Sequence, residues 1–254
     1  MKVALGIPVI DGVSAEAFPS HLAIAVEIAR QGQLALFTPR NRMPHDVARW
    51  DIWQGAVEQG CDYLLFVDDD NILPIGTFTR LLKVLQDNEG CRVVSGSYLR
   101  RGYPYTTVWS KEIKGQYYNV DASEGVHEIH VSGLGCALID LKWCDTHLTR
   151  PIFQMFKDEE GLTKITDDVS FYSRVREAGG LILGDADVQC GHVHERVIIT
   201  RGNADSLRML HIKKEGEVRM AYEAALAQPS QPEESRGPDG NRIESECCSP
   251  ALNT

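Results

Sequence analysis

Three adjacent aspartates, Asp68, Asp69 and Asp70, directly follow an apolar run at residues 64–67. A short apolar run bounded by polar turn residues is typical of a strand buried on both faces, and open α/β sheets bind ligands at the carboxyl ends of such strands. In an extended chain Asp68 and Asp70 lie on one side, where they repel each other unless a cation joins them. Oxygen ligands suit Mg²⁺ or Mn²⁺, which can bridge to a diphosphate. The alternative is a solvated acidic turn.

A second acidic pair and two histidines lie in the later part of the chain. Thr166, Asp167 and Asp168 begin a predicted helix that reaches Ala178, so Asp168 is a candidate general base, or the two aspartates only cap the helix. His192 and His194 follow the last predicted strand in what we expect to be a polar loop. Imidazole beside carboxylates favours Mn²⁺, although a lone histidine is more often structural.

The first half of the chain alternates strands with helices. This alternation predicts a mostly parallel sheet with right-handed crossovers. The expected strands are Val3–Val9, Leu34–Phe37, Leu64–Val67 and Arg92–Ser95; the expected helices are Ser20–Arg30, one that runs to Gly60 with Pro44 at its first position, and one that follows Pro74.

The second half has a different character. Residues 103–132 are rich in aromatics, Thr and Val with a turn at Lys114-Gly115, which predicts antiparallel strands. Gly133 and Gly135 bracket a loop before an apolar run at 136–139, where they allow either a tight bend or the approach of a substrate. Later expectations are strands at 181–183 and 187–190, a helix near 205–225, and a disordered tail over 227–254.

Composition narrows the class of protein. The chain has 254 residues, of which 43% are hydrophobic and 24% charged, with a formal net charge of −10, which argues against bulk binding of nucleic acid or anionic membranes. No apolar stretch reaches membrane-spanning length, and no GxGxxG or GxxxxGK[ST] loop indicates a dinucleotide fold or a P-loop ATPase. Seven cysteines lack zinc spacing. Of these, Cys61, Cys136 and Cys190 adjoin apolar segments and are predicted core residues, which favours a reducing cytoplasm.

Taken in order, these segments resemble the GT-A glycosyltransferases, in particular the family 2-like enzymes, over roughly residues 3–194. The resemblance implies a single α/β domain over 1–226, with a Rossmann-type, mostly parallel sheet flanked by helices and a smaller antiparallel acceptor-side part. It implies a metal-dependent enzyme that moves sugar from a nucleotide-sugar donor, a UDP- or GDP-sugar, to an acceptor hydroxyl. The class of acceptor stays open: saccharide, lipid, protein or nucleic acid.

The resemblance also implies roles for individual residues. Asp68 and Asp70 match the DxD signature, which holds Mn²⁺ or Mg²⁺ and the donor diphosphate. The catalytic pair corresponds to Asp167 and Asp168, with Asp in place of the usual Glu at 167. The remaining matches are donor-binding residues (Pro8, Arg49, Asp69, Arg101, Gly133 and Gly135) and a terminal metal-binding histidine, His192 or, in reserve, His194.

Two other functions are compatible with parts of the pattern. A haloacid-dehalogenase-like phosphatase also has a nucleophilic aspartate after an apolar strand, but that strand normally opens the catalytic core, and Asn71 stands where such enzymes have Thr or Val. A binding module that keeps the fold without turnover is the alternative outside catalysis.

Overall fold

A computed structural model describes residues 1–9, 12–38, 44–194 and 197–202, and only the backbone at 197 and 198. The predicted helix near 205–225 and the predicted tail at 227–254 lie outside the described residues. The elements of the first half are β1 (Lys2–Gly6), α1 (Phe18–Gln31), β2 (Gln33–Phe37), α2 (His45–Glu58), β3 (Tyr63–Val67), β4 (Asn71–Ile72), α3 (Thr77–Asp87) and β5 (Cys91–Ser97).

The second half is richer in short strands and hairpins. Its elements are β6 (Ser110–Ile113), β7 (Gln116–Asn119), β8 (Val126–Glu128), β9 (Cys136–Asp140), α4 (Leu141–His147), β10 (Phe156–Lys157), β11 (Thr163–Ile165), α5 (Asp167–Glu177), β12 (Leu181–Gln189), β13 (Gly191–His194) and β14 (Val197–Ile199). Strands β6 and β7 form the predicted antiparallel hairpin, and Lys114 and Gly115 at its turn both have positive φ.

The central sheet has seven strands in the order β2-β1-β3-β9-β5-β12-β8. Pairs β1–β2, β1–β3 and β5–β12 are parallel, whereas β9 runs antiparallel to β3 and β5, and β8 runs antiparallel to β12. Five of the seven strands (β1, β2, β3, β5 and β12) therefore run in the same direction, and the predicted α/β class with a mostly parallel sheet is correct. The sequence pattern did not predict that β9 separates β3 from β5.

Apolar side chains cover both faces of this sheet. Along β3, Leu64 and Phe66 pack into one core with α2, α4 and α5, while Leu65 and Val67 pack into the other with α1 and α3. Successive side chains of a strand point to opposite faces, so a run without polar residues fits only a strand covered on both sides. The predicted buried strand is confirmed, as is the burial of Cys61, Cys136 and Cys190.

One edge of the sheet collects the polar segments. The carboxyl ends of β1, β3, β5 and β12 lie at this edge because these strands run in the same direction. Strand β9 runs the other way, so its amino end brings the glycine loop at 133–135 to the same edge, against the acidic turn after β3. The acidic turn (68–70), the glycine loop (133–135) and the residues after β12 therefore meet there.

Several local predictions need correction. Strand β1 ends at Gly6 rather than Val9, and Pro44 precedes the first residue of α2 as its N-cap. The predicted strands at 181–183 and 187–190 are one continuous strand, β12. His192 and His194 lie in strand β13, not in a polar loop, and the antiparallel pairing of β13 with β4 and β14 buries His192. No helix in the described part of the chain is long and apolar enough to cross a membrane.

Candidate active site

A cavity of about 460 Å³ opens at the edge of the sheet where these segments meet. It brings together most of the residues that the sequence nominated: Pro8, Arg49, Asp68, Asp69, Asp70, Arg101, Gly133, Asp168 and His192. Three nominated residues do not line it. Gly135 lies directly behind Asp68, Asp167 is buried, and His194 lies two positions past His192 along β13.

The carboxylate of Asp70 has a different partner on each oxygen. Its Oδ1 lies 3.4 Å from His192 Nε2, and its Oδ2 accepts a hydrogen bond of 2.8 Å from Arg101 Nη1. Burial raises the pKa of Asp70, but the contacts with His192 and Arg101 outweigh burial and hold the pKa below its ordinary value. Asp70 therefore stays anionic at neutral pH, which suits a residue that binds cations.

The ring of His192 is oriented by the backbone. Its Nδ1 lies 2.7 Å from the carbonyl oxygen of Leu99, which can only accept, so Nδ1 carries a proton and donates. Nε2 faces Asp70 Oδ1, where it either carries a second proton that it donates to the carboxylate or, in the neutral ring, offers a lone pair to a cation. A backbone carbonyl that fixes the tautomer of a histidine is the usual arrangement around metal-binding histidines.

These donors fit the divalent cation implied by the resemblance. Asp70 Oδ1 and His192 Nε2 face each other at 3.4 Å, so a divalent cation could bind both atoms in place of a proton on Nε2. Carboxylate oxygen together with imidazole nitrogen suits Mn²⁺ better than Ca²⁺. Within the described residues, no three His, Cys, Asp or Glu side chains form a metal-binding group. Asp70 and His192 would supply two ligands to such an ion, and Mg²⁺ in proteins usually takes its other ligands from water and phosphate.

Arg49 links the two acidic segments. Its Nη1 donates to Asp167 Oδ2 at 2.6 Å, and its Nη2 lies 3.3 Å from Asp68 Oδ1. Burial lowers the pKa of Arg49, but the neighbouring carboxylates of Asp68 and Asp167 raise it by more than burial lowers it, so the guanidinium stays charged. Both Arg49 and Asp167 are buried, and of the two only Arg49 lines the cavity, so their pair is a structural contact at the cavity wall. This arrangement leaves Asp168 as the member of the pair that faces the cavity.

Asp168 lies in the first turn of α5, where it accepts hydrogen bonds from the Thr166 hydroxyl and from the backbone N–H of Val169 at 2.8 Å. Burial raises its pKa above the ordinary range, and the neighbouring charge of Asp167 raises it further; Arg49 and the Thr166 hydrogen bond oppose the shift without cancelling it. A carboxylate with a raised pKa is a better proton acceptor than an ordinary aspartate.

The glycine loop is shaped by close packing against two tyrosines. A Cβ on Gly133 would lie 2.2 Å from the Tyr98 hydroxyl oxygen, and one on Gly135 would lie 1.9 Å from Asn71 Nδ2 and 3.0 Å from Asp68 Oδ2. Tyr98 accepts a hydrogen bond from the N–H of Gly135 at 2.9 Å. Tyr172 of α5 donates to the carbonyl oxygen of Gly133 at 3.2 Å. Close approach within the protein therefore requires these glycines, and the approach of a substrate is not needed to explain them.

Some residues that line the cavity were missed by sequence reasoning. Tyr98 lines the cavity, with its ring edge-on to that of His192 at 5.4 Å between centroids. His45 and Arg100 also line the cavity. His45 was predictable, because it lies four residues before Arg49 and therefore on the same face of α2. Tyr98 was not, because its partners are distant in sequence.

Comparisons with known proteins support the fold but not a family. No protein-family model and no curated protein sequence matches this chain. The solved structure of A197 from STIV is similar with a TM-score of 0.56 and 18% sequence identity, over 79% of this chain and 90% of that chain. GalNAc-T7, a glycosyltransferase of the GT-A fold solved with UDP, GalNAc and Mn²⁺, is similar with a TM-score of 0.50 and 12% identity, over 77% of this chain and 44% of that chain. The fold is GT-A-like, as predicted.

Proposed function

We propose that this protein is a metal-dependent glycosyltransferase that moves a sugar from a UDP- or GDP-sugar to an acceptor hydroxyl. One observation carries the proposal: Asp70 and Asp168 line the same cavity, and their pKa values are displaced in opposite directions. Sugar transfer needs both, an anionic group where a cation meets the departing diphosphate and a carboxylate that accepts a proton. The GT-A-like fold supports this assignment, and the UDP, GalNAc and Mn²⁺ of GalNAc-T7 suggest the ligand class.

Each residue has a role in this proposal. Asp70 and His192 would hold Mn²⁺ or Mg²⁺, with Asp68 beside them, and the bound ion would supply Lewis-acid neutralisation of charge on the leaving diphosphate. Asp168 accepts the proton of the acceptor hydroxyl as its oxygen bonds to the anomeric carbon and the bond from that carbon to the phosphate oxygen breaks. This single displacement inverts the anomeric configuration.

The remaining residues orient these groups. Arg49 lines the cavity and holds Asp68 and Asp167 in place, and the nucleotide contact that the resemblance implies stays part of its proposed role. Arg101, Asp69 and Pro8 line the cavity where the donor diphosphate and nucleoside are expected. Since Asp167 is buried on Arg49, we assign it a positioning role and keep Asp168 as the base.

A thermal-shift panel tests the donor. Ligands that bind the native state raise the melting temperature by mass action, so UDP- and GDP-sugars are compared with and without Mn²⁺. We expect one donor family to stabilise the protein with Mn²⁺ and not after addition of a chelator. Release of nucleoside diphosphate is then measured with that donor, since water can replace an unknown acceptor. Binding without release would favour the non-catalytic module, and stabilisation by no donor would contradict the proposal.

A further inference from the structure

Asp70 already pairs with a cation of the protein itself. Arg101 Nη1 lies 2.8 Å from Asp70 Oδ2, while His192 faces the other oxygen. The side chain of Asp70 is only 18% exposed, whereas that of Arg101 is 55% exposed. A solvated arginine thus reaches inward and neutralises the carboxylate proposed to bind the metal ion.

This pair is weak enough to exchange. Ion pairs with an exposed partner contribute little to stability, because water and salt screen them and the long side chain loses rotamer freedom when it is held. A divalent ion between Asp70 and His192 brings twice the charge of the guanidinium to the same carboxylate. The ion and Arg101 therefore oppose each other at Asp70, since two cations beside one carboxylate repel.

The loop that carries Arg101 keeps it at the cavity after release. Backbone hydrogen bonds join Arg100 N to Thr106 O at 2.8 Å and Val108 N to Tyr98 O at 3.1 Å, so the base of the loop is fixed. Arg101 lines the cavity from this loop. A guanidinium freed there would stay at the cavity, and its forked donors match the oxygens of a diphosphate.

We propose that Arg101 occupies Asp70 in the ligand-free protein and gives it up to the divalent ion, passing to the phosphate oxygens of the donor. This inference rests on the proposed function, because it takes Asp70 and His192 as the ion site. It assigns Arg101 two successive partners: the Asp70 carboxylate before binding and the diphosphate after it. Arg101 thus holds the empty site in a neutralised form and makes binding of the metal and the diphosphate mutually dependent.

The experiment measures binding of Mn²⁺ alone to the full chain, with electron paramagnetic resonance of the free ion as the readout. Wild type, Arg101→Gln and Arg100→Gln are compared, because Arg100 lines the same cavity, carries the same charge and has no ion pair within the described residues. Arg101→Gln is expected to tighten Mn²⁺ binding by about two- to fivefold, which is the change in affinity expected when an exposed ion pair no longer has to be broken. Arg100→Gln loses only general repulsion and should change it less. With saturating Mn²⁺, UDP or GDP should bind Arg101→Gln more weakly than wild type.

Each outcome decides the matter. Unchanged or weaker Mn²⁺ binding in Arg101→Gln overturns the inference, as does an equal gain in Arg100→Gln. If wild type binds no Mn²⁺, a gain of binding in Arg101→Gln supports the inference, and no binding in either overturns it. The proposed function is tested by a different measurement: it is contradicted if no nucleotide-sugar shifts the melting temperature. Failure of the inference about Arg101 can therefore be distinguished from failure of the proposed function. Melting temperatures of the variants confirm that each is folded.

Discussion

The acidic turn after β3 and the acidic start of α5 are similar in composition and opposite in behaviour. In each, one aspartate pairs with Arg49, Asp68 in the turn and Asp167 in the helix, and a second aspartate that lines the cavity, Asp70 or Asp168, does not. Asp70 lies beside His192 and Arg101, whose contacts hold its pKa low, whereas Asp168 lies where burial and a neighbouring carboxylate raise its pKa. Surroundings, rather than residue type, therefore decide which carboxylate is suited to bind a cation and which to accept a proton.

Arg49 connects the two segments without making them equivalent. Its short contact with Asp167 is buried, while its contact with Asp68 is longer and reaches the partly exposed turn. The guanidinium therefore fixes the start of α5 more firmly than it fixes the acidic turn. Substitutions at Asp70, Asp168 and Asp167 should separate binding, proton transfer and stability. These three experiments and a fourth on two tyrosines follow in order of expected effect.

The largest effect is expected at Asp70. Asp70→Ala removes a proposed cation ligand, so chelated protein should recover no donor turnover when Mn²⁺ is added, a loss of more than about a hundredfold. The fold should survive, since crowded negative charge is also removed. Release of nucleoside diphosphate measures the change, with Asp121→Ala as control because Asp121 is exposed and pairs with Arg201. Full activity of Asp70→Ala would refute the assignment of the acidic turn.

Asp168→Asn is expected to cut transfer by about 10²–10⁴-fold, the contribution of a positioned base, with donor binding preserved. In the wild type, activity should fall as pH drops through the pKa of Asp168. The midpoint of this loss of activity should lie at a pH above the ordinary aspartate pKa of about 3.9, because the pKa of Asp168 is raised in the folded state. Initial rates against pH give the midpoint, and the anomeric configuration of the product is read at the same time. Retention, or near-normal transfer by the variant, would remove the need for this base.

The free energy of unfolding should respond differently to substitutions at Asp167 and at Asp168. Asp167→Asn leaves the buried Arg49 without its closest carboxylate and should lower the free energy of unfolding by about 3–5 kcal/mol. Asp168 behaves in the opposite way. A pKa raised on folding stabilises the native state at low pH, and this stability is lost as pH rises through the folded-state pKa, so at pH 7 Asp168→Asn should not destabilise. Urea unfolding at pH 7 measures both variants, and equal losses would contradict the contrast.

The two acidic segments also show how far sequence reasoning reaches. The acidic turn was predictable because it depends on local order: an apolar strand, confirmed as β3, ends in three aspartates at the ligand-binding edge of the sheet. The orientation of Asp167 was not, because Arg49, the residue that holds it, is 118 positions away. The same limit explains β9, whose apolar run gives no information about its direction, and His192, whose burial depends on pairing with β4.

The smallest expected effects come from two tyrosines that support one segment each. Tyr98→Phe keeps the ring against His192 but removes the hydroxyl that accepts the hydrogen bond from the Gly135 N–H. Gly135 lies behind Asp68, and its carbonyl oxygen accepts a hydrogen bond from the Asp68 N–H. We expect Mn²⁺ affinity to fall about tenfold, as for other residues that orient metal ligands.

Tyr172→Phe is the matched control. Tyr172 lies one turn after Asp168 in α5 and donates to the carbonyl of Gly133, so its loss should leave Mn²⁺ affinity nearly unchanged and lower turnover instead. Titration with Mn²⁺ and initial rates at saturating donor separate the two outcomes. If both variants lowered Mn²⁺ affinity equally, the glycine loop would act as one rigid body, and the acidic turn and the start of α5 would not be independently positioned. A loss confined to Tyr98→Phe would show that the cation-binding wall of the cavity has its own support, separate from the wall that carries the base.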